Sequence, residues 1–198
     1  MSEIRVENII GETGTDAVKF TKGINATGIV TATSFSGSGA SLTGIVSGLF
    51  SSYAIISHEK SNNTHGSSLS TGSYSTRELN TEIADPDGIV SISGNHFTLQ
   101  AGSYLIDSMS IIHRGNASQS RLYNVTDSSV VQYGMSVHSS DGNSGNVLSP
   151  VVARVTIGSA KAFSIQSRVS NTDGENSGLA NNFGNTQIYT IIKIFKEN

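Results

Sequence analysis

The sequence predicts an all-β protein, an antiparallel jelly-roll β-sandwich preceded by a short, extended, β-rich segment. Three observations predict it. Charged residues make up only 14% of the 198 residues, against about 25% in an average chain. Serine, threonine, asparagine and 21 glycines fill the gap. Ser, Thr and Asn compete for backbone hydrogen bonds and Gly loses the most entropy on ordering, so helices are disfavoured. From about residue 50 onward, short apolar runs recur at strand spacing, and turn clusters separate them. The first 49 residues lack runs of this kind.

The expected strands are Tyr53-Ala54-Ile55-Ile56, 76–83, 89–93, 96–99, 104–113, 120–125, 129–137, 148–157, 162–170 and 187–195. A polar stretch over 57–73 reads as a long loop. Asp85-Pro86-Asp87-Gly88, Ser93-Gly94-Asn95, Asp127-Ser128-Ser129, Ser140-Asp141-Gly142-Asn143 and Asn171-Thr172-Asp173-Gly174 supply the turns. Strands of this number and spacing belong to a sandwich of jelly-roll type. Phe97 and Leu99 alternate inward, Ala101-Gly102 turns the chain, and Tyr104 and Ile106 return to the same core.

Residues 1–49 are expected to form an attachment or stalk segment, and residues 50–198 the folded knob. In the segment Thr-Gly-Ile-Val occurs at 27–30 and again at 43–46, with a Gly/Ser turn cluster between. Its apolar residues are too few to offset ordering entropy alone and too many for a solvated linker. It is therefore expected to order against a partner or other copies of itself.

Two strands are apolar on both faces. Ile188, Ile192 and Ile194 alternate with Tyr189, Ile191 and Phe195, and Leu105, Met109 and Ile111 alternate with Tyr104, Ile106 and Ile112. Two-sided strands are buried on both sides. One face meets the core, so Tyr189, Ile191, Phe195, Leu105 and Met109 are expected at a subunit interface, in a homotrimer; the alternative is a local helix or loop that covers the second face.

Net charge is −3, so nothing draws the chain to nucleic acid. No window reaches the ~18 apolar residues of a membrane span, and Met1-Ser2-Glu3-Ile4-Arg5 is not a secretory leader; no membrane insertion is expected. Without cysteine, thiolate metal sites and disulfides are excluded. His58, His65, His96, His113 and His138 follow no metal-ligand spacing. The oxygen-rich turns at 85–88 and 173–176 lack EF-hand spacing, and turn chemistry accounts for them. No cofactor or metal is expected. Glu78 and Glu82, four residues apart on one expected strand, are the carboxylate pair that a glycosidase reading would need; Arg77 beside them favours surface ion pairing. No catalytic motif accompanies them, and the chain is not expected to be an enzyme.

The long polar loops over 57–73, 114–119, 138–147 and 171–186 suit adaptable binding. Their expected receptor-facing residues are His65, Tyr74, Asn116, Asn143 and Phe183, whereas Tyr133 alternates as a core residue.

The string Thr27-Gly28-Ile29-Val30-Thr31-Ala32-Thr33-Ser34-Phe35-Ser36-Gly37-Ser38-Gly39-Ala40-Ser41-Leu42-Thr43-Gly44 resembles a motif of structural proteins in marine tailed phages, particularly those of cyanobacteria. The block containing Thr76-Arg77-Glu78-Leu79-Asn80-Thr81, Asp85-Pro86-Asp87-Gly88-Ile89-Val90 and Arg121-Leu122-Tyr123-Asn124-Val125-Thr126 resembles phage fibre-tip domains. Phe97-x-Leu99-x-Ala101-Gly102-x-Tyr104-x-Ile106 is similar to a strand pair of the tumour necrosis factor and complement-head jelly rolls. Those resemblances imply a trimeric tail fibre or appendage of a virion, assembled in the host cytoplasm. Its residues 1–49 would join other virion proteins, and its knob would bind a host surface glycan or protein. The alternatives are a capsid decoration protein or head fibre and, from another class, a glycan hydrolase.

Overall fold

The computed structural model describes residues 48–198 except 140–144, together with Asn25, Thr27, Gly28, Ile29 and Thr31. The chain divides into two units, Met1–Ile45 and Val46–Asn198. Nearly all of the 1–49 attachment segment, and Asn143 of the binding loops, lie outside the described residues. The second unit is all-β as the sequence predicts, and no helix occurs among its described residues.

Its strands are β1 (Phe50–Lys60), β2 (Ser75–Thr76), β3 (Thr81–Ala84), β4 (Val90–Ser93), β5 (His96–Leu99), β6 (Gly102–His113), β7 (Ala117–Asn124), β8 (Ser129–His138), β9 (Asn146–Ile157), β10 (Lys161–Val169) and β11 (Gln187–Glu197). They form two antiparallel sheets. One runs β3-β1-β11-β6-β9, and the other runs β4-β5-β10-β7-β8 with β2 also paired to β10. We call these the first and second sheets.

Alternation builds the core between them. From the first sheet Ala54, Ile56, Ile106, Val151, Ala153, Ile192 and Ile194 point inward; from the second, Phe97, Leu99, Leu122, Phe163 and Ile165 do so. Phe97 and Phe163 stack with centroids 5.8 Å apart. Each such side chain contributes about 1.5–3 kcal/mol by leaving water. Phe97, Leu99, Tyr104 and Ile106 share one core, as expected, but they reach it from opposite sheets, β5 in the second and β6 in the first. The Ala101-Gly102 turn is therefore a crossing between layers and not a hairpin. Gly94 and Asn95, both at positive φ, make the two-residue β4–β5 hairpin that their chemistry dictates.

Two expectations are corrected here. Strand β1 continues through Ser57 and His58, both fully buried, to Lys60, so the first part of the expected 57–73 loop is sheet. The expected 76–83 strand breaks into β2 and β3, which belong to different sheets. The break falls at Arg77. Its backbone N–H donates to Ile165 O in the second sheet, and its side chain donates from Nη2 to Tyr189 O on β11 of the first. The chain thus changes layers across 77–80. Glu78 and Glu82 do not lie on a common strand, and the geometry proposed for a carboxylate pair is absent.

Candidate functional site

Three regions carry functional potential, and the first is the outer face of the first sheet. Register places Tyr53, Phe195, Leu105 and Arg154 in one row across β1, β11, β6 and β9. The next row is Ile55, Lys193, Asp107 and Val152, and the third is Ser57, Ile191, Met109 and Pro150. Tyr53 is 45% and Val152 58% exposed, while Ile191, Phe195, Leu105 and Met109 are half-buried. The face is largely apolar, with the Lys193–Asp107 ion pair at 3.0 Å near its centre and the Arg154–Glu197 pair at 2.6 Å at one end. The apolar surface continues at the open edge of the sandwich, where Met135 is 65%, Tyr133 50% and Leu148 59% exposed. Tyr133 was expected in the core. It lies outside because β8 is an edge strand, packed against β9 through Gly134, where a Cβ would come within 2.3 Å of Pro150 O.

Tyr189 departs from the expected interface set. It is only 4% exposed, and its own chain covers it. Its hydroxyl donates to Thr64 O at 2.8 Å, and Gly178 packs so closely on its ring that a Cβ there would lie 2.0 Å away. The partner strand is bulged opposite, between His58 and Glu59, while Ile188, expected to point with Ile192 and Ile194, is 47% exposed. Periodicity carries no signal of the bulge, whereas the covering loop is the alternative that the two-sided strand left open, and at Tyr189 it holds.

The second region is a groove of ≈ 530 Å³ on the outer face of the second sheet, lined by Tyr74, Gln119, Ser136, Arg168 and Ser170 among others. Arg168 faces Gln119, and Gln119 faces Ser136, so these three side chains form a row across β10, β7 and β8. Tyr74 sits beside that row. Its ring lies 4.0 Å from the Arg121 guanidinium, and its hydroxyl donates to Gln119 Oε1 at 2.8 Å. Burial, and then Tyr133, push the Tyr74 phenol above its usual value, while Arg121 and Arg168 pull it back. Arg121 is fixed in turn by two bonds to Gln166 Oε1. Asn116 lies next to the groove-lining Ala117, at positive φ, where its N–H donates to Ser139 Oγ. The sequence marked Tyr74 and Asn116 as separate loop residues; the fold brings them to one neighbourhood and adds Gln119, Arg121 and Arg168, which sequence reasoning had left as ordinary strand residues.

His65 and Phe183 belong elsewhere. The 61–66 and 179–185 loops are tied by Asn62 to Asn182 and Gly184, and His65 Nδ1 accepts from Ala180 N. Phe183 is 81% exposed at that loop pair. The two oxygen-rich turns use their carboxylates on their own backbones, Asp85 on the N–H groups of Ile89 and Val90, and Asp173 on Glu175.

The third region is buried. His58 is fully enclosed with Nε2 2.8 Å from Glu78 Oε2, and Lys60 Nζ reaches the same carboxylate oxygen at 2.8 Å. Ser67 Oγ donates to the other oxygen. Burial drives the His58 imidazole below its ordinary value despite the carboxylate beside it. Burial works to raise the Glu78 carboxyl, but the bonds from Lys60 and Ser67 and the nearby positive charge hold it low. A histidine whose folded value is depressed keeps its contribution to stability above the unfolded value and loses it as pH falls. Stability is therefore expected to decline as pH falls from about 6.5, with Glu78 adding a further loss in more acid solution. Thermal unfolding midpoints across this range check it, and His58→Gln is expected to flatten the first part of the slope.

No family model and no curated protein matches this sequence. The fold has clear structural counterparts. The Eiger TNF structure from S. frugiperda is 12% identical over 76% of this chain and 94% of its own, with a TM-score of 0.53. The globular domain of zebrafish complement 1qA is 12% identical over 73% of this chain and 95% of its own, at 0.46. Murine APRIL is 9% identical over 73% of this chain and 98% of its own, also at 0.46. The described sandwich thus shares the jelly-roll fold of the Eiger TNF structure.

Proposed function

We propose that this chain is a non-enzymatic structural protein of a virus particle, a trimeric tail fibre or appendage whose sandwich binds a host surface glycan or protein. The observation that supports assembly is the apolar outer face of the first sheet, continued by the exposed apolar edge of β8 and β9. Contiguous apolar surface on a soluble domain marks an interaction site. A face on one subunit set against an edge on the next is a heterologous contact, and such contacts close into rings when the rotation permits. Three copies agree with the jelly-roll resemblance at 97–106. The virion assignment draws on the phage-like string at 27–44, which would attach the particle end while the sandwich faces outward.

Antibody–gold labelling of intact particles tests the assignment. Gold at the tail is the expected result. Gold over the shell moves the protein to a capsid decoration role, and unlabelled particles overturn the virion reading.

A further inference from the structure

We propose that the groove beside Tyr74 binds an acidic saccharide, a sugar bearing a carboxylate, with Arg168 as the group that holds its charge. The proposal names the ligand class for the binding surface proposed above and rests on the glycan part of that reading.

Arg168 is the reason. It is exposed and lines the groove, and among the described residues its guanidinium has neither an ion-pair nor a hydrogen-bond partner. The other described arginines are all engaged: Arg77 on Thr190 and backbone carbonyls, Arg114 on Asp173, Arg121 on Gln166, Arg154 on Glu197. A guanidinium is a rigid fork that matches a carboxylate with two parallel bonds. Among the described residues no acidic side chain lines the groove to compete for it.

The remaining walls suit a sugar. Ser136 Oγ accepts from Gln119 Nε2, and Ser170 Oγ accepts from the N–H of Ala117, which leaves each hydroxyl proton free to donate. Tyr74 adds an apolar wall that Arg121 and Gln119 hold in place, of the kind on which a sugar's C–H surface can rest. The volume of ≈ 530 Å³ falls within the range of about 300–1,000 Å³ seen for ligand clefts. Arg168 offers its fork to one carboxylate, while Arg121, whose charge the neutral Gln166 amide does not cancel, adds positive potential beside Tyr74.

The test uses the full chain, a hexuronate disaccharide and the methyl ester of that disaccharide, which removes the charge but keeps the rings. Calorimetric titration gives affinity, and saturation-transfer NMR on the sugar reports contact. The acid is expected to bind at least tenfold more tightly than the ester. Arg168→Gln is expected to erase that difference, and Arg168→Lys to restore part of it. Arg168 is a surface residue, so folding is preserved, as circular dichroism will verify. Equal binding of acid and ester, or unchanged selectivity in Arg168→Gln, overturns the charge assignment. If ester and acid bind equally and Tyr74→Ala weakens both, the glycan reading stands and only the acidic class falls. Absence of saturable binding by either probe overturns the proposal, whatever gold labelling shows about the particle.

Discussion

Arg77→Ala is expected to lower the unfolding free energy by about 3–5 kcal/mol, the largest loss expected from any single truncation at the layer crossing. Arg77 is fully buried, and its guanidinium occupies the point where both sheets and the 175–178 turn meet. Nε donates to Thr190 Oγ1 at 3.2 Å, and Nη2 donates to Ser177 O at 2.9 Å and Tyr189 O at 3.3 Å. Truncation leaves those oxygens without their donor and opens a cavity the size of the side chain. Burial lowers the Arg77 pKa to about 10, against which nearby Glu78 works, so the group stays charged near neutral pH. Nη1 has no partner, and its desolvation is a standing cost. Arg77→Met isolates the polar part of the effect, because methionine fills much of the volume and donates nothing. It is expected to cost about 1–3 kcal/mol, the penalty of leaving buried acceptors unpaired. Denaturant midpoints at one fixed protein concentration measure both, since assembly makes apparent stability depend on concentration. A Met variant as stable as the parent would show that the guanidinium contributes no net stability.

The same residue shows what the sequence could carry. Strand existence was legible wherever apolar residues alternate against turn residues: β4, β5, β6, β9 and β10 fall within a few residues of their expected spans. Arg77 defeated the pattern because a charged residue between Thr76 and Leu79 reads as an exposed position, and nothing local reveals that its partners lie about a hundred residues away at Ser177 and Tyr189. Tyr189 failed for a related reason. Alternation assigns a side chain to a face, whereas the covering of that face by Thr64 and Gly178 is a tertiary fact. Arg168 and Gln119 were invisible as binding residues because a polar residue on the outer face of a strand is the ordinary case. Only register across β10, β7 and β8 sets them in one row.

Met109→Glu is expected to convert a trimer into monomers without unfolding the sandwich, with light scattering giving one third of the parent mass. Met109 sits between Ile191 and Pro150 in the outer face of the first sheet, half-buried in the single subunit, so a glutamate there remains hydrated until a neighbour approaches. Assembly would strip that water from an unpaired charge, at a cost of several kcal/mol. Ile191→Glu acts in the same way. A monomeric parent would overturn the trimer outright. The Lys193–Asp107 pair sharpens the expectation. Its two side chains are 37% and 31% exposed, so in the free subunit the pair is worth at most about 1 kcal/mol. Covered by a neighbour, it becomes a desolvated pair in which loss of one member strands the other. Lys193→Met and Asp107→Leu singly are therefore expected to weaken assembly more than the two together, as a double-mutant cycle on the dissociation midpoint would measure. Additive losses would place the ion pair outside the interface and shift the contact toward the β8–β9 edge.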